Sequence, residues 1–434
     1  MVWIGTVLLL LTSIALIGSG LWKRGGFYGY PFLAAAMFLT FVLPQIPGLI
    51  NDRFMPQDGA MTRAVFFSWL CLVMCAVGWE LGRHSRIGWD AAFSEKRLLI
   101  YSGALSLVGA YFFHKFGQLA DEERLRGFLT GTAVAYLFFA KLLTYGLAIA
   151  LLCFARRPSL AALWIILFDG IFYFDRIVIA GRRGDAAELA LMIALALWFQ
   201  RRRAIPRSVV ALSLVFTVAG LLSAGEYRAA TYYGGGAPDW QAVLEINPAE
   251  NWRKLIEEGG PEFRNLAFSM SYVSENNAYD FGATHWNTLV HSYFPAQVFG
   301  SALKESLYIS TPLRYSLDYE PSAGSTPMGM MDAFGSFSYF GCLKFALVAA
   351  VLAGIYGCAM QGNTAMQLLY MLSAMPAMLV VTHFTNEIVI AWLHITMFML
   401  PCLLFARIRT PGTRAGRRQA ASLNRLSTSP TIRD

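Results

Sequence analysis

The sequence predicts an all-α polytopic membrane protein of about eleven transmembrane helices, with one large extracytoplasmic loop between helices eight and nine. Three observations predict it. The 434 residues are 56% hydrophobic and only 14% charged, too few charges to coat a soluble domain. Apolar runs of roughly 17 to 25 residues, the length that crosses a hydrocarbon core of about 30 Å, recur between short polar breaks. Lysine and arginine collect at alternate breaks, as they do in loops held on the cytoplasmic side.

The apolar runs place helices near 2–22, 30–50, 61–82, 97–114, 129–154, 159–180, 186–200 and 208–224, then 337–359, 365–382 and 387–406. The seventh is short. The first has no basic region before it and no small-residue cleavage site after it, so it reads as a retained helix and not a signal peptide. Four regions follow: helices one to eight over 1–224, a loop over 225–336, helices nine to eleven over 337–406 and a basic tail over 407–434. Lys23 and Arg24, then Arg83, Arg86, Lys96 and Arg97, then Arg156 and Arg157, then Arg201, Arg202, Arg203 and Arg207 fall on one side if the helices alternate. That side is cytoplasmic, which puts the N-terminus outside and the tail inside. The tail, with Arg407, Arg409, Arg414, Arg417, Arg418 and Arg425, reads as disordered and as lying beside anionic lipid headgroups. The net charge of +8 is therefore a topology signal, and nucleic acid is excluded as a partner. All six cysteines lie within apolar runs without metal-ligand spacing, so neither a disulfide nor a structural metal is expected.

Charges that break this pattern are the candidates for function, because ionisable groups at membrane depth are costly. Arg182 and Arg183, flanked by Gly181 and Gly184, fall on the outer side, with Asp175 and Arg176 just before them. Paired guanidinium forks beside glycines suit a phosphate or pyrophosphate, while an Asp175/Arg176 ion pair is the structural alternative. Lys141, in the middle of helix five, needs either an acidic partner, for which Asp169 and Asp175 are the candidates, or a water-filled cavity. His383, Asn386, Glu387 and His394 read as lining at the outer ends of helices ten and eleven. In the loop, the stretch from Pro248 to Gly260 predicts a short helix with early acids and a Gly-Gly stop. Beyond it come Tyr272, Asn276, Asn277, Tyr279, Asp280, His285, Trp286, Asn287, His291 and Tyr293, aromatic faces mixed with hydrogen-bonding groups. Such a surface suits a glycan, although Trp286 and Tyr293 taken singly also suit seating on the bilayer interface.

The stretch from Gly324 to Gly341, GSTPMGMMDAFGSFSYFG, resembles the turn by which O-antigen polymerases of the Wzy type re-enter the membrane. A Gly/Ser/Thr-rich turn leads to an acid, here Asp332, then to an aromatic-glycine pair, here Phe340-Gly341, and a helix. The Tyr293-Phe-Pro295 step with Lys304 is similar to the approach to that turn, with Ala296 where a basic residue is usual. Arg182 and Arg183 resemble the arginines of the shorter outer loop. The resemblance implies a membrane glycosyltransferase of the bacterial inner membrane, joining undecaprenyl-diphosphate-linked oligosaccharides into O-antigen, capsule or exopolysaccharide. It implies membrane lipid, a flippase and a chain-length regulator as partners, and no cofactor. An O-antigen ligase acting on lipid A core is the first alternative and a transporter the second, though no inverted repeat or broken mid-membrane helix marks the latter. No Asp-x-Asp pair is placed to hold a divalent ion, so arginines would take the metal's part at the diphosphate: Arg182, Arg183 and Arg176 first, Arg264 or Arg314 otherwise. The acceptor hydroxyl needs a base, for which Asp332 and His291 are the candidates. Asp332 is preferred for its place in the turn, where desolvation could raise its pKa; its alternative role is as N-cap of helix nine.

Overall fold

The computed structural model of the chain describes residues 1–56, 59–85, 91–120, 131–232, 238–322 and 324–408. Among these the protein is all-helical, without a strand. Helices stand at each of the eleven apolar runs. In order they begin α1 Val2–Trp22, α2 Tyr30–Leu49, α3 Ala60–Gly82, α4 Glu95–Gly117 and α5 Thr132–Arg156. There follow α6 Leu160–Phe174 with a π-helical extension Asp175–Ile179, α7 Arg183–Arg201 and α8 Arg207–Leu222. Next come α9 Ala224–Thr231, α10 Trp240–Glu245, α11 Pro248–Glu258, α12 Pro261–Asn276, α13 Ala283–Tyr293, α14 Ala296–Phe299 and α15 Ser301–Ser306. The chain closes with α16 Gly329–Phe337, α17 Leu343–Met360, α18 Thr364–Thr382 and α19 Glu387–Ala406. Among the described residues, seven stretches are long and apolar enough to cross a membrane: α1, α2, α3, α5, α16 with α17, α18 and α19. The tail arginines from Arg409 onward and Arg86 lie outside the described residues.

Besides the π-helical extension of α6, two further helices are irregular. Lys141 is the junction between a helix ending at Ala140 and one starting at Leu142, so α5 is broken where the sequence predicts a continuous run. In α2 a π-helical turn over Phe38–Val42 passes into a 3₁₀ turn at Pro44, which has no N–H to continue the α ladder.

The basic breaks meet at one end of the bundle, and their arginines serve the helix ends there. Arg207 donates to the carbonyl of Trp22 at 2.9 Å, Arg201 to that of Ala155 at 2.8 Å and Arg97 to that of Phe405 at 3.4 Å. These carbonyls end helices, so the guanidinium groups satisfy orphan acceptors and complement the negative end of each macrodipole.

α3 and α17 form the tightest pair. A Cβ on Gly78 or Gly82 would run into the backbone carbonyls of Ala346 and Ala350, so the glycines at four-residue spacing set how closely the two helices lie. Gly78→Leu should therefore lower the thermal stability of the detergent-purified protein, by about 1–3 kcal/mol for an overpacked interface, and an unchanged melting curve would mean that the two helices are free to move apart.

Much of the segment between α8 and α17 shares the bundle's core. Phe263, Leu266, Ala267 and Met270 of α12 are buried against α3 and α16. Helix α11 matches its sequence signals: Asn247 caps it by accepting from the amides of Ala249 and Glu250, and it stops before Gly259-Gly260. Those glycines press against Leu49 and Gln45, where any side chain would collide. Gln45 fixes the joint, its backbone oxygen taking the Gly260 amide and its Oε1 the Phe263 amide.

Candidate functional site

Five charged or titratable side chains from separate parts of the chain converge beside the turn joining α18 to α19. Gly329 lets α16 lie directly on α18, since a Cβ there would strike the carbonyl of Val380. One turn on, the Asp332 carboxylate is 1% exposed. Its Oδ2 accepts from the Thr385 amide at 2.9 Å and the Thr385 hydroxyl at 2.5 Å, with His285 Nε2 at 3.2 Å. Arg314 lies 3.7 Å from Oδ1 and donates at 2.9 Å to Asp280, itself fixed by the Gly282 amide. Lys344, in the first turn of α17, reaches back to Ser336 Oγ at 2.9 Å and to His285 Nε2 at 3.0 Å.

The electrostatics are those of a fixed array of charges. Burial alone would raise the Asp280 carboxyl, but hydrogen bonds from Thr284 and the Gly282 amide, the charge of Arg314 and Ser336 outweigh it and hold that group below the usual carboxylate range. Around Asp332 stand Arg314, Lys344 and His285. Three buried polar atoms of this group make no hydrogen bond among the described residues: His285 Nδ1, Arg314 Nη1 and Asp332 Oδ1. Buried polar atoms are normally satisfied, so three in one cluster leave hydrogen-bonding capacity open to water or a ligand. Beside it, Phe281, Phe337, Phe340, Leu343 and Leu347 line an apolar groove of about 690 Å³ with Lys344 in its wall. Ser338, between the groove and α16, has a φ of +50°, a left-handed conformation costly for a residue with a Cβ.

Asp332 does not cap helix nine. It is the fourth residue of a separate helix, α16, and caps the Thr385 turn across the bundle. The aromatic-glycine step has a packing reason, since a Cβ on Gly341 would strike the carbonyl of Ala333.

The other sequence candidates are dispersed. His291 is six residues beyond His285, about 240° round α13 and 9 Å along it, so the two cannot share one group. Burial and Lys304 lower its pKa, and its carbonyl accepts from that lysine at 3.3 Å. Trp286 donates to the carbonyl of Leu307 at 2.7 Å and Tyr293 to that of Ile390 at 2.6 Å, so both tie α13 to its surroundings. Arg264 is paired with Asp52 at 2.9 Å. Arg176 forms a two-pronged pair with Asp185, at 2.6 and 2.8 Å, and not with Asp175. Asp169 accepts from Ser106 at 2.8 Å and does not pair with Lys141, whose charge acts instead on Glu188 and Glu387.

Arg182 is exposed at the start of α7, and Arg183 borders a cavity of about 280 Å³ with Lys254, Glu258 and Glu262. The two carboxylates offset the two cations there. Gly181 is required by its turn, φ +59°, and by the Tyr227 ring packed on it.

No family model, curated protein or solved structure matches the chain. Sequence reasoning singled out Asp332, His285 and Arg314 but missed Lys344. The signal was present, since a lysine at the eighth position of the apolar run 337–359 is unusual at membrane depth.

Proposed function

We propose that the chain is a polysaccharide polymerase that joins undecaprenyl-diphosphate-linked oligosaccharide repeat units at the outer face of the bacterial inner membrane. The observation that carries this reading is the cluster of Asp280, His285, Arg314, Asp332 and Lys344 beside an apolar groove, with Asp332 supplied by the stretch that resembles the polymerase turn. A lipid-linked diphosphate sugar needs three things together: an apolar seat for its isoprenoid, cations for its diphosphate and a base for the acceptor hydroxyl. The groove supplies the first, Lys344 and Arg314 the second and His285 the third.

His285 Nε2 stands between a carboxylate that calls for an N–H and an ammonium that calls for a lone pair. When an incoming diphosphate draws the Lys344 ammonium away, Asp332 and Thr385 retain Nε2–H and Nδ1 becomes the acceptor. The acceptor hydroxyl then attacks the anomeric carbon of the growing chain and its proton passes to Nδ1. The bond from that carbon to the diphosphate oxygen breaks, and undecaprenyl diphosphate leaves with the electron pair. Asp332 acts as a positioning residue, its Oδ2 already occupied by Thr385.

In this reading α4, α6, α7 and α8 also cross the membrane, giving eleven spans, a periplasmic N-terminus and a cytoplasmic C-terminus. Gly260 is unsuited to a labelling cysteine because a side chain there meets Gln45. Exposed Ala302 is the better choice, and the six native cysteines are buried. Ala302→Cys should react with an impermeant thiol reagent in intact spheroplasts and Arg203→Cys should not; the reverse pattern would invert the topology. Cells lacking the gene should carry single repeat units on their surface. A pool of unligated long chains would point to a ligase, and absence of any surface units to a transporter.

A further inference from the structure

We propose that the basic end of the bundle carries a binding site for one anionic phospholipid, its phosphate held by Lys23, Arg24 and Arg83. The site lies at the end away from Asp332 and does not depend on the polymerase reading. A groove of about 430 Å³ runs between the C-terminal ends of α1, α3 and α17.

Small residues make the groove. Gly20, Ala353 and Gly357 line it where larger side chains would fill it, and Leu16 and Phe32 give it an apolar depth. Three cations stand at its mouth against one carboxylate, Glu80, which pairs with Arg83 at 2.7 Å. The Lys23 ammonium has no partner among the described residues, and Arg24 spends one N–H on the carbonyl of Arg202 at 3.3 Å. The two flanking segments are fastened to each other, since Arg207 in turn donates to the carbonyl of Trp22 at 2.9 Å. Trp79 supplies the amphipathic ring found at headgroup level.

An apolar slot that opens under a net positive mouth matches a phosphodiester whose glycerol and first methylenes enter the slot. A basic pocket between membrane helices is a recognised setting for acidic headgroups. Phosphatidylethanolamine carries its own ammonium to the same place and gains less.

The test is native mass spectrometry of the full chain released from micelles doped with phosphatidylglycerol or phosphatidylethanolamine. Wild-type protein should retain one phosphatidylglycerol in preference to phosphatidylethanolamine. With each cation near the lipid phosphate contributing roughly fivefold, Lys23→Gln/Arg24→Gln should weaken retention about thirty-fold, and Lys23→Gln alone about fivefold. Arg53→Gln/Lys115→Gln, remote from the groove, should change nothing. The single variant removes a side chain without a protein partner, so it reports even if the double variant fails to fold. Equal retention of the two lipids, undiminished retention by Lys23→Gln, or displacement of the lipid by soluble glycerol phosphate would each overturn the proposal.

Discussion

Protein carrying His285→Gln should fold and insert normally yet join lipid-linked repeat units at least a hundredfold more slowly than wild type. A positioned general base typically contributes about 10² to 10⁴ in rate, and glutamine keeps the size and one hydrogen-bonding end of the imidazole while removing the proton acceptor. Asp332→Asn should cost less. The amide oxygen can still accept from Thr385, but without the charge Nε2–H is no longer favoured over the other tautomer. Lys344→Gln should raise the KM for the lipid-linked substrate as well as lower kcat, because the ammonium meets the diphosphate in both the ground and the transition state. His291→Gln separates the two histidines. Burial and Lys304 lower the His291 pKa, so that side chain is unprotonated at neutral pH, and a rate depending on it would fall only as pH drops through the lowered value. An acid limb that disappears in His291→Gln, with activity retained in His285→Gln, would give the role of base to His291.

The parts of this architecture that were legible in the sequence are those decided locally. An apolar run of sufficient length is a helix wherever it sits in a bilayer, because lipid offers the backbone no other partner. In the same way Asn247 before Pro248 and the Gly259-Gly260 stop bound α11 by themselves. The site was legible only as a set of residue types. Asp332 meets Thr385 across 53 positions and Arg264 meets Asp52 across 212, distances over which no spacing rule operates. Asp175 was the natural partner for Arg176 by adjacency, but neighbouring residues on a helix point about 100° apart, and the π-helical turn brings Arg176 to Asp185 beyond the next bend. The separate helix α16 was hidden because its end is set by a left-handed serine, Ser338, and not by a glycine or proline.

Arg176→Met should be among the most destabilising single substitutions in the chain, costing about 3–5 kcal/mol, because it leaves the Asp185 carboxylate uncompensated in a place where both partners are only 15% exposed. The guanidinium also lies 5.1 Å from the centre of the Tyr173 ring, and methionine brings no positive charge to that ring face. Replacing a buried ion pair by apolar residues of similar volume is often neutral, so Arg176→Met/Asp185→Leu should recover most of the stability that the single variant forfeits. This double variant decides between the two readings of Arg176. If the arginine only joins α6 to α7, the double variant is stable and elongates glycan at near the wild-type rate. If it clamps the diphosphate, the double variant is equally stable but slower by about two to three orders of magnitude, the effect of removing a charge-assisted hydrogen bond to a leaving group. The geometry favours the first outcome, since Nε and Nη2 are both already committed to Asp185 and a ligand would have to displace a two-pronged carboxylate to reach them. Arg314 differs in that its Nη1 is buried without a partner among the described residues, so a diphosphate could be added to its existing bond with Asp280.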